Sequence, residues 1–258
     1  MKTVNISIND KIAIITICRP DQLNALSSRV ISDLEAAFIS VEQNDNVRVV
    51  ILTGQGKKAF IAGADIKEMS SFNIKEAESY SKNGQSLTKY IENFTKPVIA
   101  SVNGFALGGG CEFAMSCHIR YAADNAKFGQ PEVGLGLIAG FGGTQRLSRL
   151  VGKGLANEIL LSGKMISALE AESIGLINKA FPSDDLFDKV MELAKMISQN
   201  APISVKHTIK LVNNGLDSSL DEGLDLESKA FGDIFSTDDQ KEGITAFIEK
   251  RSANFKGT

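Results

Sequence analysis

Two glutamates lie in settings that could support acid–base chemistry. Glu112 follows the run Gly108-Gly109-Gly110-Cys111, in or near the first turn of a predicted helix, and Glu132 follows Pro131 and precedes an apolar stretch at 133–137. A helix N-terminus favours the ionised form of Glu112, whereas apolar packing raises the pKa of Glu132 and keeps a proton on it. The pattern therefore predicts one carboxylate that acts as a base and one that acts as an acid.

Each glutamate also has a purely structural interpretation. A glutamate in a first helical turn is commonly a capping or dipole partner, and a Pro-Glu pair is often only a helix start. The glycines at 108–110, 140, 142 and 143 could likewise serve only tight turns and close packing. The catalytic interpretation therefore depends on what else the sequence places beside the two carboxylates.

Two segments of similar pattern could supply a site for negative charge. Residues 49–65 (VVILTG to AGAD) and 98–112 (VIASVNG to GGGCE) each pass from a buried strand, through a loop of very small residues, into a predicted helix start. The first N–H groups of a helix lack intrahelical partners and carry partial positive charge. Two such ends that face one another could bind an oxyanion that develops in a transition state.

The elements that must position these residues alternate in type. Residues 3–8 and 12–17 predict a β-hairpin, and a helix is expected from Ser27 or Ser28 to about Asn44. Strands are predicted at 47–53 and 97–102 with a helix between them, which indicates an α/β architecture. Beyond Gly152 the chain is predicted to be mostly helical, with amphipathic segments near 154–162, 168–174, 185–199, 202–214, 217–235 and 238–250.

Composition narrows the classes of partner and compartment. With 258 residues and a net charge of −3, the chain has no basic stripe for nucleic acid or an anionic membrane, and no window reaches the roughly 18 apolar residues of a membrane span. Three cysteines without Cys-x-x-Cys spacing favour a reducing compartment, and the first eighteen residues lack a signal-peptide core. We therefore predict a cytoplasmic protein whose mature chain begins at Met1.

Several kinds of chemistry have no sequence support. The chain lacks a nucleophile elbow, a Walker A loop, a dinucleotide fingerprint and a His-Glu-x-x-His motif. Its two histidines, His118 and His207, cannot form a three-histidine metal site, and a mixed site with Cys117 would need carboxylates from elsewhere. We predict no metal site, and Cys111, Cys117 and His118 are expected to belong to a helix and its exit.

Four segments carry a resemblance to a known family: RPDQLNAL at 19–26, AFIAGADIKEM at 59–69, KPVIASVNGFALGGGCEFAMSC at 96–117, and FGQPEVGLGLIAGFGGTQRLSRLVG at 128–152. Through them the chain resembles the crotonase (enoyl-CoA hydratase) superfamily along nearly its whole length, and the bacterial short-chain enoyl-CoA hydratases especially closely. The last two segments, in this order and spacing, are highly specific. The resemblance implies a crotonase-like (ββα) spiral core over residues 1–195 and a helical C-terminal trimerisation region over 196–258.

The resemblance also implies a site and a reaction. It makes Glu112 and Glu132 the catalytic pair and puts the oxyanion hole at the backbone amides of Ala64 and Gly109. The implied reaction is reversible addition of water to a short-chain trans-2-enoyl-CoA, with CoA carried by the substrate and no cofactor. The residues implied in substrate and CoA binding are Ala62, Ala64, Asp65, Ile66, Lys67, Gly109, Phe247 and Lys250.

Two positions depart from the family pattern, and two other functions remain open. His118 stands where the family commonly has Asp, and Ala139 where it commonly has Pro, so Ala139 bears on acyl-chain length. One alternative is another acyl-CoA enzyme of this fold, such as an enoyl-CoA isomerase, a branched-chain hydratase or a different lyase; the presence of both glutamates favours hydration. The other is a non-catalytic member that uses the fold as a binding or RNA-associated module, which the acidic composition, the lack of a basic stripe and the intact glutamate pair disfavour. The resemblance implies a homo-oligomer, either a trimer or a hexamer built as a dimer of trimers.

Overall fold

The computed structural model describes residues 3–258, so the predicted start at Met1 lies outside the described residues. The strands are β1 (Val4–Asn9), β2 (Ile12–Ile17), β3 (Val49–Gly54), β4 (Ala59–Ile61), β5 (Val98–Val102), β6 (Phe105–Leu107), β7 (Ile119–Ala123), β8 (Lys127–Gly129), β9 (Met165–Ser167) and β10 (Lys179–Phe181). The α-helices are α1 (Ser28–Glu42), α2 (Ile66–Met69), α3 (Ile74–Glu92), α4 (Gly109–Ser116), α5 (Gly143–Val151), α6 (Lys153–Ser162), α7 (Ala168–Ser173), α8 (Leu186–Ser198), α9 (Pro202–Leu216), α10 (Leu220–Ile234) and α11 (Asp238–Ile248).

The larger of two sheets has six strands in the order β1-β2-β3-β5-β7-β10. β1 and β2 form the predicted antiparallel hairpin, and all other neighbours in this sheet are parallel. Every residue of β5 is buried, as are all but one of β3. These strands are therefore covered on both faces, which explains why they occur in the sequence as continuous apolar runs.

The smaller sheet has four short strands in the order β4-β6-β8-β9, of which β4, β6 and β8 are parallel. The chain reaches it three times by the same route, through a strand of the larger sheet, a strand of the smaller sheet and then a helical segment. This is the ββα spiral. Because each turn repeats the last, the carboxyl ends of β4, β6 and β8 lie at one edge of the smaller sheet.

The core occupies both sides of the larger sheet. On one side it contains large apolar residues of α1, α3 and α4 and the strands beneath them, including Phe38, Leu87 and Phe113. On the other side α8 packs Leu186 and Val190 against β3 and β5. The site-bearing loops are thus attached to a framework that is packed on two faces.

The predicted helices of the C-terminal third are confirmed, and α9 and α10 pack mainly on each other. Neither of them buries an extensive face within one chain, because α9 contains no buried residue and α10 contains only Ala230. Between them is an apolar cavity of about 710 Å³. The boundary predicted at 195/196 falls in the last turn of α8, and the division of the chain there stays a prediction.

Candidate active site

Three of the four predicted site positions lie close behind neighbouring strands of the smaller sheet. Ala64 follows β4, Gly109 follows β6, and Glu132 follows β8. Because parallel neighbours end at the same edge, the spiral brings all three together, at the kind of edge where ligands bind in parallel sheets. Glu112 joins them from the first turns of α4.

Hydrogen bonds between its neighbours and Leu26 fix the backbone around Ala64 without using the N–H of Ala64 itself. Ala64 and Leu26 form a parallel bridge, in which the Leu26 N–H donates to the Gly63 carbonyl at 2.9 Å and the Asp65 N–H donates to the Leu26 carbonyl at 2.7 Å. In such a bridge the groups flanking Ala64 make the bonds, so its own N–H points away from Leu26. This N–H has no protein acceptor among residues 3–258.

Gly109 is the first residue of α4, and its N–H also has no protein acceptor within the described chain. This is the position where a helix leaves its backbone donors free. Its neighbour Gly110 explains the close approach of α4 to the Ala64 segment, since a Cβ at Gly110 would lie 1.9 Å from the carbonyl oxygen of Ile61 at the end of β4. The free N–H groups of Ala64 and Gly109 therefore lie just beyond the ends of two adjacent strands, β4 and β6.

Sequence analysis missed the residues that hold the Ala64 segment. Arg19 forms a 3.0 Å ion pair with Asp65 and also donates to the Ala25 carbonyl at 2.7 Å. Asn24, fully buried with a left-handed φ of 58°, donates to the Ala59 carbonyl at 2.8 Å. Segment 19–26 is thus a structural support for residues 59–65, although the sequence indicated only that it resembled a family segment.

Glu112 is buried, with 1 % of its surface exposed, and its Oε1 accepts the N–H of Phe141 at 2.7 Å and of Gly143 at 2.6 Å. Burial raises its pKa to about 7, and the charge of nearby Glu132 acts in the same direction. The prediction that the helix N-terminus keeps Glu112 readily ionised is therefore wrong. The loss of hydration on burial destabilises the ionised carboxylate by more than the two N–H donors and the helix N-terminus stabilise it.

Glu132 begins a short 3₁₀ helix that ends at Leu135, and burial raises its pKa, as predicted. Its carboxylate lies over Gly108, where a Cβ would meet Glu132 Oε1 at 2.6 Å and where φ is +50°. Gln130, buried and missed by sequence analysis, donates its amide to both Glu132 oxygens at 3.1 and 3.2 Å in the orientation that satisfies its partners. In that orientation the oxygen of the Gln130 amide lies 2.9 Å from the position of the Cβ that Gly143 lacks.

The two carboxylates are linked through Gln130 and Gly143, because Gln130 donates to Glu132, and Gln130 and Glu112 both lie beside Gly143. A Cβ at Gly143 would contact Glu112 Oε1 and the Gln130 amide, each at 2.9 Å. Burial raises the pKa of both glutamates above the ordinary value. Two free amides at the same sheet edge as two carboxyl groups could stabilise an oxyanion and move protons at adjacent atoms.

Glu112→Gln is expected to stabilise the protein relative to wild type as pH rises. The folded-state pKa of Glu112, about 7, lies above its ordinary value of 4.5, so wild type loses stability between those two pH values, where the group ionises in the unfolded chain but stays protonated in the fold. The glutamine retains the acceptor oxygen for both amides but carries no charge. The difference in Tm between variant and wild type should grow from pH 5 to pH 7 and then level off; a difference independent of pH would contradict the assignment of a raised pKa.

The remaining predicted residues are placed as follows. Ile66 and Lys67 are exposed on α2, and Ala62 is partly exposed just before it. Phe247, 85 % exposed on α11, and Lys250 make no hydrogen bond to segment 62–67 within the described chain. The structure therefore does not join these two parts of the predicted CoA site, and their roles stay predictions.

His118 lies just beyond α4, as expected. Its Nδ1 accepts the Val98 N–H at 2.8 Å, so the ring is neutral and Nε2 donates to the Glu92 carbonyl at 3.1 Å. Burial lowers its pKa. Among residues 3–258 no group of three or more metal-ligating side chains is found, and no helix is long and apolar enough to cross a membrane.

A family model described as enoyl-CoA hydratase/isomerase matches residues 7–258. The chain therefore belongs to the enoyl-CoA hydratase/isomerase family. It is 50 % identical over 241 residues to a short-chain-enoyl-CoA hydratase of Clostridium acetobutylicum, which covers 93 % of this chain and 92 % of that protein. It is 47 % identical to a crotonyl-CoA hydratase of Syntrophomonas wolfei, with 95 % of each chain covered.

Solved structures agree with these sequence matches. The crystal structure of an enoyl-CoA hydratase from Bacillus anthracis superposes with a TM-score of 0.96 at 38 % identity and covers 99 % of this chain and 100 % of that one. The predicted family, the crotonase fold and the enzyme class, a hydro-lyase of the enoyl-CoA hydratase type, are thereby confirmed.

Proposed function

We propose that this chain catalyses the reversible syn addition of water to short-chain trans-2-enoyl-CoA thioesters, giving 3-hydroxyacyl-CoA. The observation that carries the proposal is the shared edge of the smaller sheet, where two unpaired backbone amides lie beside two carboxyl groups with raised pKa values. Hydration of a conjugated thioester needs both parts, because charge accumulates on the thioester oxygen while protons move at C2 and C3.

In this proposal the amides of Ala64 and Gly109 donate to the thioester oxygen and stabilise the enolate. Glu112 takes a proton from water as the water oxygen bonds to C3, and Glu132 gives its proton to C2. The net result is one water added across the double bond, and the proton held by Glu112 must return to Glu132 before the next cycle. Because two close carboxylates titrate as a pair, their apparent pKa values belong to the pair.

The substrate class follows from the family and from the named relatives. Ala62, Asp65, Ile66 and Lys67 are proposed to line the CoA site, with Phe247 and Lys250 completing it. CoA is part of the substrate, and the reaction requires no cofactor. The Asp65 carboxylate also forms an ion pair with Arg19, so its main proposed role is to hold the loop that contains Ala64.

We further propose a cytoplasmic homo-oligomer, a trimer or a hexamer formed from two trimers. Residues 196–258 would provide the contact surface, which is consistent with the apolar faces that α9 and α10 leave open in one chain. Light scattering of the purified protein measures the assembly directly, and a monomer would contradict this part.

The test of the reaction is a series of kcat/KM values for trans-2-enoyl-CoA substrates from four-carbon to sixteen-carbon acyl chains. The proposal predicts hydration at every short chain length, with the largest kcat/KM for the shortest. Parallel assays with 3-enoyl-CoA substrates test for isomerisation. Turnover of 3-enoyl substrates without hydration of any 2-enoyl substrate would instead identify an isomerase.

A further inference from the structure

The loop that holds Glu112 is itself held by one face of α3. The Phe141 N–H that donates to Glu112 shares a trans peptide unit with the Gly140 carbonyl. That carbonyl accepts the Ser81 hydroxyl at 2.6 Å and the Gln85 amide at 2.9 Å. Because the peptide unit is rigid and planar, fixing its carbonyl also fixes the direction of its N–H.

The next carbonyl along the loop, which shares its peptide unit with the Gly142 N–H between the two donors to Glu112, is also fixed. The Phe141 carbonyl accepts from Thr88 Oγ1 at 3.1 Å and from Arg146 Nη1 at 3.0 Å. Arg146 is held in turn by a 2.8 Å ion pair with Glu92. Thr88 is fully buried, and its single hydroxyl proton is shared with the Gln85 carbonyl of its own helix, also at 3.1 Å.

These side chains occupy one face of α3, since positions 81, 85, 88 and 92 follow the helical repeat. We name Ser81, Gln85 and Thr88 the α3 ladder. Gly84 on the same face leaves room for the loop, because a Cβ there would lie 2.1 Å from the Phe141 ring. Polar and apolar contacts thus both place the loop on α3.

We propose that the α3 ladder and Arg146 are positioning residues for Glu112, which fix the loop amides that bind its carboxylate. This inference rests on the proposed catalytic role of Glu112. None of the four side chains needs to touch the substrate, since each acts through the loop between residues 140 and 143. Hydrogen bonds in a chain also polarise one another, which strengthens the donors at Glu112.

Removing the side-chain donor of one residue in the α3 ladder should weaken the hydrogen bonds from the Phe141 and Gly143 amides to Glu112. These hydrogen bonds favour the ionised form of Glu112. The pKa of Glu112 should then rise further above 7, and the acid limb of the kcat/KM profile should move to higher pH. Arg146→Gln should move it furthest, because this substitution also removes a nearby positive charge that lowers the same pKa.

The variants are chosen in matched pairs. Thr88→Val keeps the shape and removes the hydroxyl, whereas Thr88→Ser keeps the hydroxyl. Ser81→Ala is compared with Ser86→Ala, an exposed position on the same helix, and Arg146→Gln with Arg149→Gln, an exposed position on α5. Ladder variants should lose roughly 10-fold in kcat, the scale expected for one buried hydrogen bond, with KM little changed.

A second measurement separates this inference from the proposed reaction. The pH dependence of Tm is recorded for Thr88→Val and Ser81→Ala in the wild-type and Glu112→Gln backgrounds. If the ladder acts through Glu112, both variants extend the pH-dependent loss of stability above pH 7 in the wild-type background only. An unchanged pH dependence, or the same extension in the Glu112→Gln background, would overturn the inference. Absence of hydratase activity in wild type would overturn the proposed function alone.

Discussion

Glu112→Gln and Glu132→Gln will each lower kcat for hydration of crotonyl-CoA by roughly 100-fold or more, with the fold intact. Glutamine has the size and the acceptor oxygen of glutamate, so the two N–H bonds to position 112 can remain. It can neither take a proton from water nor give one to C2. Steady-state rates of the purified variants, with circular dichroism as a check on folding, measure the effect.

The control for these substitutions is Glu35→Gln, which changes an exposed glutamate on α1. It should leave kcat unchanged. A Glu132→Gln variant that retained wild-type activity would remove this residue from the proton transfer and favour a reaction in which one carboxyl group is sufficient.

Gly109→Pro will lower kcat by a further 100-fold or so relative to Gly109→Ala, the loss typical of one oxyanion-hole donor. Both substitutions add a Cβ, which would contact the Leu26 side chain at 3.1 Å and the Phe141 ring at 3.2 Å. Only proline removes the N–H. Because Gly109 is the first residue of α4, where proline is well accepted, the helix should survive.

The comparison of the two Gly109 variants separates the loss of the amide N–H from the effect of the added Cβ. KM should differ much less between them than kcat, since the donor is expected to act mainly on charge in the transition state. Equal kcat values for the alanine and proline variants would show that the Gly109 N–H does not stabilise the transition state.

Local patterns in the sequence were sufficient for the long elements of the fold. β1 alternates apolar and polar residues and β2 is a run rich in isoleucine on the other side of a turn, and α1 begins after Ser27, whose side chain accepts the Val30 N–H as a cap should. The three-residue strands β4, β6 and β8 were not predicted. Such short segments show no measurable period and exist because neighbouring turns of the spiral pair with them.

The missed sheet had a direct consequence for understanding the site. Sequence reasoning placed both amides at the ends of the buried strands β3 and β5, whereas they follow β4 and β6 of the other sheet. The supports of the site were also outside its reach, since Arg19 contacts Asp65 across 46 positions and Ser81 contacts Gly140 across 59. Long-range contacts of this kind leave no trace in local spacing.

The environment of Glu112 shows why a correct residue can be given the wrong pKa. Its position in the first turns of a helix is readable in the sequence, and that feature favours ionisation. Its burial under the 140–143 loop is a tertiary property, and in the structure burial outweighs the local effect. Glu132 was assigned the right direction for a different reason, since the apolar residues Val133 and Leu135 that follow it are exposed and its carboxylate is instead buried against Gly108 and Gln130.

The proposed hydration is tested by incubating the purified protein with crotonyl-CoA in water enriched in heavy oxygen and analysing the products by mass spectrometry. We expect 3-hydroxybutyryl-CoA that carries one heavy oxygen atom, formed by wild type and lost together with activity in Glu112→Gln and Glu132→Gln. Recovery of unchanged crotonyl-CoA, or of a double-bond isomer without incorporated oxygen, would contradict it.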